Sequence, residues 1–127
     1  MIGKCHCGRI EFEVYQNPEQ ATRCGCSYCA RTNWLTGYAS VVQFKLNQGT
    51  EDLSVYYYGD DNNHHFFCRH CGINTHYFND DTSPPHYGYN MGCIEELDSG
   101  PLSVVSRVNH HMEAKKVVDP AVKDRTI

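Results

Sequence analysis

Seven of the eight cysteines in this chain fall into three tight groups: Cys5-His6-Cys7, Cys24-Gly25-Cys26-Ser27-Tyr28-Cys29 and Cys68-Arg69-His70-Cys71. Thiols this close in sequence are poor disulfide partners but natural metal chelators, because two or three of them leave one short turn and reach the same ion. Tetrahedral zinc takes four such ligands in a structural site and three in a site kept open for chemistry. Seven thiols divide as four plus three. That division points to two Zn²⁺ per chain, one closed and one open, and hence to an enzyme.

In Cys5-x-Cys7 the two side chains share one face of an extended segment, so both reach one ion. Cys68-x-x-Cys71 has knuckle spacing, and Gly8 and Gly72 follow the two chelates and let the backbone fold over the metal. One Zn²⁺ on Cys5, Cys7, Cys68 and Cys71 staples the start of the chain to its middle, a large gain for a small domain. Cys24, Cys26 and Cys29 differ, since three thiolates from six residues cap an ion from one side and leave a fourth position. Water or a substrate thiol can fill it, Cys93 can close it as a second structural site, or no stable second metal binds. A lone cysteine such as Cys93 is more often a small buried apolar residue. Three thiolates around Zn²⁺ carry net −1, which blunts Lewis acidity. Such a centre suits a soft thiol held deprotonated better than it suits hydrolysis.

The 127 residues, 40% hydrophobic, are expected to form a single domain over 1–127 with one modest core. No run of about 18 apolar residues predicts a membrane span. Met1-Ile2-Gly3-Lys4-Cys5 lacks the apolar stretch of a signal peptide, so a cytoplasmic location with reduced thiols is expected. A secreted disulfide scaffold is the rival that an even cysteine count permits. Formal net charge is −4; seven lost thiol protons against the four charges of two zinc ions take it to −7. That acidity, with Lys115-Lys116 the only paired bases, argues against nucleic-acid partners.

Strand signals dominate. Arg9 to Tyr15 alternates, with Ile10, Phe12 and Val14 on one face. Gly37 to Phe44, Leu53 to Tyr58, His65 to Phe67, Thr75 to Phe78, His86 to Met91 and Leu102 to Val108 read as further short strands separated by Asn, Gly, Pro and Asp turns. Ser27 to Asn33 and Ile94 to Leu97 read as helical turns, and the tail after His110 is expected to be loose. The predicted class is all-β, a zinc-containing sandwich of short antiparallel strands. His6 and His70 are expected to point away from the ion, the pairs His64-His65 and His110-His111 to lie on the surface, and the tyrosines to serve core and sheet.

Gly3-x-Cys5-x-Cys7-Gly8, then Cys24-x-Cys26-Ser27-x-Cys29, then Phe67-Cys68-x-x-Cys71-Gly72 resembles, in order and over nearly the whole chain, the glutathione-dependent formaldehyde-activating enzyme family, which also includes centromere protein V. The resemblance implies a zinc-containing β-sandwich with a structural zinc on Cys5, Cys7, Cys68 and Cys71 and a catalytic zinc on Cys24, Cys26 and Cys29. It implies carbon–sulfur lyase chemistry, in which glutathione and formaldehyde equilibrate with S-(hydroxymethyl)glutathione. The expected partners are a small thiol, glutathione or another of low molecular weight, and an aldehyde. Against the family pattern, Ala30 separates Cys29 from Arg31, and Val108-Asn109-His110-His111-Met112-Glu113 stands where a histidine–aromatic motif and a later proline–tryptophan are usual. The alternative function is a non-enzymatic zinc module that binds a protein, with both zincs structural.

Overall fold

Alternation in Glu11–Val14 buries Phe12 and Val14 and turns Glu11 and Glu13 outward. In the computed structural model, which describes residues 1–57, 63–97, 100 and 102–107, this strand is β2. It pairs antiparallel with β1 (Ile2–Lys4) and β5 (Phe44–Gln48) in a three-stranded sheet ordered β1-β2-β5. Asn47 Nδ2 reaches across to Glu11 Oε2 at 3.1 Å and Glu13 Oε1 at 3.3 Å, a polar outer face of the kind an antiparallel sheet turns to water.

The larger sheet holds β3 (Ala21–Cys24), β4 (Thr36–Ser40), β6 (Leu53–Tyr56), β7 (Asn63–Cys68), β8 (Asn74–Asn79), β9 (His86–Asn90) and β10 (Val104–Arg107). Their order is β10-β3-β4-β9-β8-β7-β6. Among the described residues every pairing is antiparallel except β10 with β3, where Arg107 lies opposite Cys24. The mostly β class therefore holds, with one parallel pair and one short helix, α1 (Ser27–Thr32), among the described residues. Short 3₁₀ turns occupy Thr50–Asp52 and Met91–Cys93.

The small sheet covers one face of the large one. Phe44 stacks on Tyr87 at 4.3 Å between ring centroids and packs on His76 at 4.9 Å, and Phe12 meets Tyr89 at 6.2 Å. Full burial of side chains such as Phe12 and Ile10 contributes about 1.5–3 kcal/mol each. The opposite face of the large sheet is covered around β8 by α1 and the segment leaving it, with Tyr77 against Trp34 at 6.4 Å and His65 against Tyr28 at 4.1 Å. This is why Thr75, His76 and Tyr77 are all buried although they alternate between faces.

Several expected elements land elsewhere. Gly37 to Phe44 is two strands in different sheets, broken at a turn where Gln43 N donates to Ser40 O at 3.0 Å. Val41 and Val42 in that turn are 48% and 81% exposed, so their β-branching reflects no burial. The expected turn at Ile94 to Leu97 is present, Leu97 N donating to Ile94 O at 3.2 Å. His65 is buried at 3% exposure, against the expected surface position of His64-His65, because His65 faces α1 while its neighbour alternates away. The expected loose tail after His110, and the pair His110-His111, lie outside the described residues.

Candidate metal centres

Two turns built alike bring the first four thiols together. Cys5 N donates to Ile10 O at 3.2 Å and Gly8 N to Cys5 O at 3.2 Å; Cys68 N donates to Ile73 O at 3.0 Å and Gly72 N to Cys68 O at 2.8 Å. Gly8 and Gly72 take φ of 84° and 80°, a left-handed conformation that glycine adopts without penalty. The thiols they present lie at tetrahedral spacing. Cys5 Sγ is 3.6 Å from Cys7 Sγ, which is 3.7 Å from Cys68 Sγ. Zn–S bonds of about 2.3 Å at tetrahedral angles place sulfurs about 3.8 Å apart, and all four sulfurs of Cys5, Cys7, Cys68 and Cys71 lie within 4.8 Å of one another. The donor set fits zinc.

Backbone amides aim at these sulfurs. Ile10 N lies 3.3 Å from Cys5 Sγ and His70 N 3.4 Å from Cys68 Sγ, bonds that favour thiolate. Hydrogen bonds from the Arg9 backbone and side chain draw the exposed Cys7 thiol down to about 6, while burial pushes Cys68 up to about 12. A buried thiol beside one drawn towards the thiolate asks for a cation. His70 turns away from the sulfurs, its Nε2 lying 2.7 Å from Asp52 Oδ1, and His6 is exposed.

The remaining cluster forms where β3 ends and α1 begins. Cys26 is the helix N-cap, and its Sγ accepts from Cys29 N at 3.2 Å, the place a serine or aspartate oxygen usually takes. The i, i+3 spacing puts Cys26 and Cys29 on one helix face, and Cys24 joins them from the strand, all three sulfurs lying within 4.8 Å. Asn33 closes the helix in a left-handed conformation, its N–H on Cys29 O at 2.8 Å, and Arg23 Nη1 donates to Asn33 O at 3.1 Å and also engages Asn33 Oδ1. The Cys24 and Cys26 thiols, with burial, push Cys29 far above its ordinary range, and the Cys26 thiol pushes Cys24 up. Three adjacent thiols cannot all ionise until a cation neutralises them, so this donor set also fits zinc.

Cys93 stands outside both groups. Its Sγ lies 3.8 Å from Asn74 O, and burial pushes the thiol up to about 12. Sequence reasoning did not find the side chains that wall the three-thiol turn. Tyr28 stacks on Tyr56 and packs at a tilt on His65, and its hydroxyl accepts from Asn74 Nδ2 at 2.6 Å. Burial lowers His65 to about 4, so it is neutral near pH 7. A shallow cleft of about 300 Å³ opens between Tyr28, Tyr56, Phe67, Gly72 and Asn74, with no charged side chain in its lining among the described residues. No periodicity marks these residues, because strands distant in sequence bring them together.

A crystal structure of a Rhodobacter sphaeroides protein is similar to this chain, with 34% sequence identity, a TM-score of 0.73 and coverage of 83% of this chain and 100% of that one. The sequence model of the family described as glutathione-dependent formaldehyde-activating enzyme matches residues 1–111.

Proposed function

The chain belongs to the glutathione-dependent formaldehyde-activating enzyme family, and from that membership we propose that it is a zinc-dependent carbon–sulfur lyase acting on a small thiol–aldehyde adduct. The reaction joins a thiol to a carbonyl carbon. The sulfur–carbon bond forms, the carbonyl π pair moves to oxygen, and the proton lost from sulfur ends on that oxygen; the lyase direction is the reverse. Cys5, Cys7, Cys68 and Cys71 hold a structural zinc, and Cys24, Cys26 and Cys29 hold the catalytic one. A zinc there supplies stabilisation of a soft thiolate at neutral pH.

The chain's own residues do the rest. Among the described residues, Cys24, Cys26 and Cys29 offer three donors from one side and no fourth joins them, Cys93 included. That incomplete donor set carries the proposal. The buried rings of Trp34 and Tyr77 exclude water on the sheet side. The uncharged cleft beside Tyr28 accommodates the body of the substrate. Among the described residues its lining offers no charge to pair with the two carboxylates and the ammonium of glutathione, which favours a different low-molecular-weight thiol.

The test is zinc content beside a thermal melt and an adduct-cleavage assay. Cys26→Ser is expected to lose about one zinc and all lyase activity while staying folded, since three ligands grip less than four. If Cys93→Ser loses the second zinc as readily, the protein itself closes that site and a non-enzymatic binding module becomes the better reading.

A further inference from the structure

Helix α1 has six residues, and isolated helices shorter than about 12–15 residues are marginal in water. Contacts with the rest of the protein must therefore hold the turn that carries Cys26 and Cys29. Two of its fastenings are local: the Cys26 cap and the grip of Arg23 on Asn33. Tyr28 is different, because it reaches from between the two cysteines onto β6, β7 and β8. Its ring lies 5.4 Å from Tyr56 and 4.1 Å from His65, and its hydroxyl accepts from Asn74 Nδ2 at 2.6 Å. The donor is itself fixed. Asn74 pairs with Phe67 in the β7–β8 ladder, and Asn90 Nδ2 donates to its carbonyl at 2.8 Å.

We propose that Tyr28, held by Asn74, is a positioning residue for the second metal centre, and that this pair sets how tightly Cys24, Cys26 and Cys29 hold their ion. The proposal rests on the reading that the three-thiol cluster binds a metal. The physical ground is preorganisation. Ligands already placed when the metal arrives lose little freedom on binding, and ligands on a loose turn lose more. Asn74 comes three residues after Cys71, so the donor that fixes Tyr28 stands on the strand that leaves the four-thiol turn. Among the described residues, the Asn74–Tyr28 hydrogen bond and the ring contacts of Tyr28 thereby join the two centres. Ordering the first prepares the seat of the second.

The experiment is zinc competition against a chromophoric chelator, which resolves a tight and a weaker site, on wild type, Tyr28→Phe, Asn74→Ala and the double variant. Tyr28→Phe keeps the ring, so the fold is retained and only the hydrogen bond goes. Affinity at the weaker site is expected to fall about tenfold, the worth of one such bond, in each single variant and no further in the double. Affinity at the tight site is expected to stay unchanged. Cobalt substitution adds a spectroscopic reading, the thiolate charge-transfer bands of the second site broadening in Tyr28→Phe. Unchanged weaker-site affinity in Tyr28→Phe, or an equal loss at both sites, overturns the proposal while leaving the lyase reading standing. A wild-type chain that binds only one zinc removes both.

Discussion

His76 stands in the core among rings. It stacks on Phe66 at 4.7 Å, packs on Phe44 at 4.9 Å, and shares a 2.8 Å hydrogen bond between Nδ1 and Thr75 Oγ1. Burial holds its pKa down at about 3, against 6.5 for the ordinary group. The folded chain thus resists a proton that the unfolded chain accepts. The stability contributed by keeping this ring neutral is fully present above about pH 6.5 and is lost as pH falls towards 3. His65, lowered to about 4 by burial, acts in the same direction. His76→Phe is expected to flatten the acid limb by up to about 1.4 kcal/mol per pH unit, seen as a shallower fall of Tm with pH than in zinc-loaded wild type. Equal slopes would show that the ring finds a proton partner on acidification. Cys93 poses a simpler case. Cys93→Ser puts a hydroxyl into an apolar cluster with Met91 and Ile94, so it is expected to lower Tm and cost about 1–3 kcal/mol without changing zinc content.

Elements of this chain are legible to the extent that they bury one face. Glu11–Val14 alternates and is found where alternation puts it, and the two cysteine turns ending in Gly8 and Gly72 were visible because cysteine spacing and a following glycine state their geometry directly. β1 and β3, of three and four residues, are too short to carry a period; pairing with β2, β4 and β10 makes them strands. The parallel partnership of β10 with β3 joins segments about eighty residues apart, and no local pattern encodes it. The walls of the three-thiol turn were hidden for the same reason. Gly88 shows the constraint from the other side. Tyr77's ring lies over it on the paired strand, and a Cβ there would sit 2.2 Å from the ring. Gly88→Ala is expected to cost about 1–3 kcal/mol by overpacking. Because Tyr77 also packs against Trp34 and His65 beside the three-thiol turn, the same change is expected to weaken the second zinc more than the first. Zinc stoichiometry of the purified variant checks it.

At the scale of the molecule, the four-thiol cluster brings the turn after the small sheet's first strand beside the β7–β8 turn of the large sheet. Cys7 and Cys68 are 61 residues apart. Chelation is therefore expected in two stages. Mild competition removes the weaker zinc with secondary structure intact, and stronger competition removes the second together with the fold. A single transition in circular dichroism that tracks both metals would contradict this order. A zinc held there, as proposed, would also couple the folding equilibrium to something outside the chain. An ion bound only by the native state stabilises it in proportion to the logarithm of the ion's free concentration. Each tenfold fall in free zinc then withdraws about 1.4 kcal/mol from a domain of marginal stability. With the proposed zinc in place, the lifetime of the protein under proteolysis is expected to become a gauge of zinc supply, with the first few residues of the chain as its sensing arm.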